Sequence, residues 1–182
     1  MTGWGSVLSI EAQERIYYAL AGNIAINNCF NAIAVHGAVS SESGILKIPS
    51  PNHLVPSSFG SLELRQRNGN EFIGQPIDYE NTVNVRKLTI DEFNLPRVDL
   101  IKIDIEGMEL EALEGATGTI NRSHPVMLIE KIKTDAGKLH QWLGAHGYEI
   151  IEAGINMLAI HRSDKTLKEI RPDQPSAAQP AA

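Results

Sequence analysis

Residues 98–116, VDLIKIDIEGMELEALEGA, constrain the fold more than any other stretch of this chain. An apolar run from Val98 to Ile105 carries Asp104 at its carboxyl end and breaks through Glu106 and Gly107 into an acid-rich helical segment. A strand followed directly by a helix is the repeating unit of a parallel α/β sheet, and such sheets bind ligands beyond the carboxyl ends of their strands. Asp104 and Glu106 are therefore candidate site residues by position.

The same unit recurs upstream and downstream. Ser6 to Ala12 reads as a strand ending at Glu11, and residues 13–28 follow as a helix with Ile16, Leu20 and Ile24 on one face. Asn27 and Asn28 are its terminators, since asparagine tolerates the left-handed conformation. Ile33 to Val39 is a second strand containing His36, which completes a right-handed crossover. After the central unit, a single helix is expected over Met108 to Ile120, then a strand Val126 to Glu130. Thr134 caps a further helix that buries Leu139, Trp142 and Leu143. Tyr148 to Glu152 and Met157 to His161 flank Gly154-Ile155-Asn156, a spacing that predicts a terminal antiparallel hairpin.

Residues 41–85 interrupt this rhythm. They are rich in Ser, Gly, Pro and Asn, with strand character only at Ile45 to Ile48 and Leu62 to Leu64. A loop-rich insertion of this length lies over the ligand-binding edge as a lid or cover. Asn84 to Leu88 returns as a strand, and Thr89 caps a short helix that Pro96 stops. The expected organisation is one domain over 1–162, with 163–182 as a tail that is disordered from about residue 172.

Composition narrows the function classes. With 16 basic against 22 acidic residues the net charge is −6, which gives no basic face for nucleic acid. The lone Cys29 excludes a disulfide framework and a cysteine-based zinc site, and the six histidines show no ligand spacing, so no metal site is expected. No apolar run reaches the length of a membrane span, and the first residues do not read as a signal peptide, so a cytoplasmic protein is the default.

The order of these blocks resembles the FkbM family of S-adenosylmethionine-dependent methyltransferases. The matching segments are IEA at 10–12 with NIAINN at 23–28, GAVS at 37–40, IKIDIEGMELEALEGA at 101–116 and PVMLIE at 125–130. The resemblance implies a Rossmann-like α/β fold, a seven-stranded and mostly parallel sheet whose last strand is antiparallel. It implies S-adenosyl-L-methionine as cofactor, with Glu11 accepting from the ribose hydroxyls, Ala38 and Val39 flanking the adenine, and Asp104 beside the reactive end. Glu106 would lie nearer the acceptor, and Asp104 and Glu106 are the catalytic candidates, as proton acceptors or cation ligands. The implied reaction is O-methylation of a small hydroxylated acceptor, a sugar or natural product.

The family opens with a strand and a D-x-G-A-N-x-G turn that approaches the methionine part of the cofactor. Here only Met1 to Gly5 precede the IEA strand. The expectations are an N-terminal strand–helix unit missing from the sheet, an exposed central edge that invites aggregation or association into a homo-oligomer, and weak or no cofactor binding. Two other readings stand beside the enzyme: a catalytically silent domain acting in binding or assembly, and a nicotinamide-dependent oxidoreductase fragment, since an acid after the second strand serves a dinucleotide ribose equally well. His36 reads as a hydrogen-bonded core histidine, Glu130 and Lys131 as a solvated ion pair, and Arg65 and Arg67 are left without a role.

Overall fold

In the computed structural model, which describes residues 5–170, nine strands form three sheets instead of one. The first sheet pairs β1 (Val7–Glu11) with β2 (Ala32–His36) in parallel, joined by helix α1 (Glu14–Ile26). The Ile16, Leu20 and Ile24 stripe faces this pair, yet α1 buries no residue completely. Asn28 ends the turn in the left-handed region at φ 53°, as expected of an asparagine after a helix.

The strand expected over 33–39 is divided at Gly37. Residues Ala38–Val39 form β3, which leaves the first sheet and pairs with β5 (Thr82–Leu88). A β-carbon at position 37 would come within 2.4 Å of the Leu88 side chain, so only glycine lets the two sheets approach here. β4 (Gly44–Pro49) pairs antiparallel with the other edge of β5, giving the order β3-β5-β4. The expected strand at Leu62–Leu64 is instead irregular backbone after a single 3-10 turn at Phe59–Ser61. After β5, Thr89 and Glu92 cap each other reciprocally, but the element they start is a 3-10 turn at Asp91–Phe93 and not a helix.

The third sheet holds the core. β6 (Leu100–Ile103), β7 (Val126–Glu130), β9 (Asn156–His161) and β8 (Tyr148–Ala153) lie in the order β6-β7-β9-β8, with β6 and β7 parallel and β9 antiparallel to β7. Ile103, Met127, Ile129 and Met157 from this sheet pack with Leu113, Ile120, Leu139 and Leu143 from the helices that cover it. The terminal hairpin is present as expected, turning at Gly154 with φ 64°.

The helix expected over 108–120 is broken into α2 (Glu109–Glu114) and α3 (Thr117–Ser123). Asp91 supplies the reason: its carboxylate accepts from the N–H groups of Gly118 and Thr119 and from the Thr119 hydroxyl, at 2.7–2.8 Å. An external acid thus caps a new helix start where the intrahelical bonds would have run on. Gly115 lies at the break, accepting from Asp91 N–H at 3.0 Å and packing against the Ser40 carbonyl. Helix α4 (Ala136–Ala145) is capped by Asp135, which accepts from Lys138 N–H; the expected cap, Thr134, lies one residue too early. The expected tail disorder from 172 falls outside the described residues.

Gly115→Ala places a methyl carbon 2.1 Å from the Ser40 carbonyl oxygen. It is expected to lower unfolding free energy by about 2–3 kcal/mol in urea titrations. Gly22→Ala, in α1 with nothing within 4 Å, is expected to raise it by about 0.5–1 kcal/mol.

Candidate active site

Glu11 and Asp104 follow strands of different sheets, and no ladder joins β1 to β6 among the described residues. Their side chains nonetheless line one cavity of about 70 Å3, together with Ala38, Val39 and Glu106. All five residues singled out from sequence thus come together. The roof comes from the 41–85 insertion through Gly60, Leu62 and Leu64, so the loop-rich segment does cover this edge.

Glu11 is held by its own chain. Its Oε1 accepts from Gln13 N–H at 2.6 Å. Burial raises its carboxyl above the ordinary glutamate range, more than the Gln13 and Ala12 amides and the nearby His36 lower it. His36 closes β2, contacts the Ala12 carbonyl at 3.1 Å and stacks on Tyr17, which is the hydrogen-bonded structural role expected of it.

Gln13 is a cavity residue that sequence reasoning did not single out. It is 8% exposed, and its Nε2 donates to the Phe59 carbonyl at 2.7 Å. That donation fixes which end of the amide is oxygen, and the buried Oε1 has no hydrogen-bond partner among the described residues. An orphaned buried acceptor costs about 1–3 kcal/mol until a donor reaches it.

Beyond Asp104 the backbone reverses sharply. Glu106 and Gly107 have φ of 57° and 97°, and the Gly107 N–H donates to buried Glu109 at 2.9 Å. Arg67 of the insertion donates to the carbonyls of Gly107 and Lys133, so its guanidinium fills the space a β-carbon at 107 would need. Lys133 is the hub. Its ammonium lies 2.7 Å from Glu106, 2.7 Å from Glu71 and 4.0 Å from Glu63, and donates to the Ser61 carbonyl at 3.1 Å. Burial acts to lower the Lys133 pKa, but the hydrogen bonds to Glu106 and Glu71 outweigh it and hold it above the ordinary lysine value. Burial keeps the Glu106 carboxyl raised even with Lys133 beside it.

Asp104 pairs with Lys102 at 2.6 Å. Glu130, at the end of the neighbouring β7, has a raised pKa through burial and then through the charge of Asp104 and a hydrogen bond to it. The expected Glu130–Lys131 pair does not form; Lys131 pairs with Glu152, which also meets His140 at 2.9 Å. No group of three or more metal-ligating side chains occurs among the described residues.

A family model for the methyltransferase FkbM domain matches residues 1–150. The chain belongs to the FkbM methyltransferase family. Methyltransferase sdnD of Sordaria araneosa is 27% identical over 130 residues, covering 60% of this chain and 50% of that protein. The crystal structure of methyltransferase FkbM from Methylobacillus flagellatus KT aligns with a TM-score of 0.57 at 16% identity, over 86% of this chain and 36% of that one. This FkbM chain thus spans half the length of the curated relative and about a third of the solved one, and at that identity the structural likeness speaks to fold: mixed α/β and Rossmann-like. No helix among the described residues is long and apolar enough to cross a membrane.

Lys133→Met leaves Glu106 and Glu63, whose side chains are 13% and 7% exposed, without their cation. It is expected to destabilise the fold by about 2–3 kcal/mol and to open residues 59–71 to limited proteolysis, whereas Lys138→Met, at an exposed pair, leaves both unchanged.

Proposed function

We propose that this chain carries the nucleoside side of an S-adenosylmethionine site and supports methyl transfer to a hydroxyl oxygen of a small acceptor. The observation that carries this reading is the shared cavity of Glu11 and Asp104 within an FkbM family chain.

The donor set suits the adenosine part of that cofactor. A ribose presents two adjacent hydroxyl donors, and the Glu11 carboxylate that lines this cavity is the acceptor for them. Ala38, buried, and Val39 supply apolar flanks for a base. When bound, the cofactor supplies a methyl group on a sulfonium, which a hydroxyl oxygen attacks in line with sulfur as the leaving group.

The chain's own work is positioning and proton removal. Asp104 is the better proton acceptor: it lines the cavity, and the raised Glu130 beside it gives the proton a second carboxylate to share. Lys102, 2.6 Å away, holds the Asp104 carboxyl group in place. Glu106 also lines the cavity, but its ion pair with Lys133 assigns it to holding the turn and the insertion in place. A cavity of about 70 Å3 falls short of the ~300–1,000 Å3 that encloses a small ligand. A nucleoside therefore enters as residues 60–64 lift, against the Gln13–Phe59 hydrogen bond.

Saturation-transfer NMR with S-adenosylhomocysteine tests the reading. Binding is expected with a Kd on the order of 1 mM, because only the nucleoside half is gripped. Glu11→Gln is expected to weaken it about tenfold. Binding should also fade as pH falls through the raised Glu11 pKa, since the carboxylate, not the acid, accepts both donors. Absence of any saturation transfer to the adenosine protons refutes this assignment. In a form that turns over, Asp104→Asn is expected to lower kcat about 100-fold or more.

A further inference from the structure

Leu64 borders two concavities. On one side is the Glu11–Asp104 cavity; on the other is a groove of about 320 Å3 between β4, the start of β5 and residues 64–66 and 79–80 of the insertion. The groove has the volume of a small-ligand pocket, ~300–1,000 Å3, which the first cavity lacks. Leu64 lines both, so a ligand seated in the groove lies beside the cavity of the proposed donor.

The walls of the groove say what that ligand is. In a chain of net charge −6, its lining brings together two cations, Lys47 and Arg65, and one carboxylate, Glu80. Arg65 is anchored through one Nη to Glu111, which fixes the guanidinium at the wall while its other N–H groups stay available. Lys47 has no ion-pair partner among the described residues. Tyr79 contributes a half-buried ring whose hydroxyl is tied to the Glu63 carbonyl at 3.2 Å, so the ring is held as a rigid face. Lys47 is thus the one lining cation without a counter-ion of its own among the described residues, which suits a monoanion better than a doubly charged phosphate.

We propose that this groove is the acceptor site and that the acceptor is a small hydroxylated carboxylate. Lys47 and Arg65 hold its acid group, Tyr79 supports its apolar or ring face, and Glu80 accepts from a distal hydroxyl. The hydroxyl to be methylated points past Leu64 towards Asp104. This inference rests on the methyl-transfer reading and deepens it by naming the substrate class. It also gives Arg65 a role that the sequence left open, at the wall of the groove instead of on bare surface.

Two matched pairs of probes decide it by saturation-transfer NMR on the full chain: glucuronate against glucose, and 4-hydroxybenzoate against 4-hydroxybenzyl alcohol. In at least one pair the acid is expected to bind about tenfold tighter than its neutral partner. Lys47→Gln, at an exposed strand position, is expected to remove most of that preference, and Lys47→Glu to abolish binding of the acid. Equal affinity within both pairs, or a preference that survives Lys47→Glu, overturns the proposal. S-adenosylhomocysteine is titrated separately. If it binds and the acids show no preference, the acceptor assignment alone falls; if the acids bind and it does not, the methyl-transfer reading falls and takes the acceptor role with it.

Discussion

The ion pair between Lys133 and Glu106 is the interaction on which the site depends. It joins three parts of the chain that are distant in sequence: the reversal after β6, the segment after β7, and the insertion, through Glu63, Glu71 and the Ser61 carbonyl. Each element alone would be unfavourable. A non-glycine residue at φ 57° stores strain, a largely buried lysine loses hydration, and 41–85 has little regular structure to hold itself in place. Together, Lys133 and Arg67 satisfy groups on all three, which fixes the roof over the cavity and sets the position of Asp104 two residues before the turn.

Division into separate sheets gives the site its character. In an undivided parallel sheet, neighbouring strand ends are spaced by a hydrogen-bond ladder. Here β1 and β6 have no such ladder, and Glu11 and Asp104 line one cavity together with residues of the 60–64 segment and of the Ala38–Val39 strand. The third sheet has a fully buried core, whereas α1 buries no residue completely. Rigidity is therefore unequal: the Asp104 side of the cavity stands on a packed core, and the Glu11 side on a two-stranded unit.

Much of this was legible in the residues themselves. The D-x-E-G run located the strand-to-helix reversal, the acids at the ends of strands located the rim, and the Ser-, Gly- and Pro-rich insertion was placed over the ligand edge. The features that escaped reading came from contacts distant in sequence. Nothing local marks Asp91 as the cap that splits 108–120 into two helices, and the periodicity of that stretch favours one continuous helix. Gln13 and Lys133 look like surface residues until folding brings Phe59 to one and three glutamates to the other. The Glu130–Lys131 pair failed for a related reason: β7 ends at Glu130, which lies beside Asp104, while Lys131 beyond the strand meets Glu152 of the terminal hairpin.

The sequence by itself determined the alternation of strand and helix, the family, and the strand-end acids Glu11 and Asp104 among the residues that line the cavity, because hydrophobic period and strand-end position are local properties. Only the tertiary structure decided that β1 and β6 belong to different sheets, that Glu106 is held by a lysine, and that Leu64 divides a small cavity from a cationic groove. Those outcomes depend on which distant charges and carbonyls reach one another, and a side chain's partner is set by the path of the whole chain and not by its neighbours in sequence.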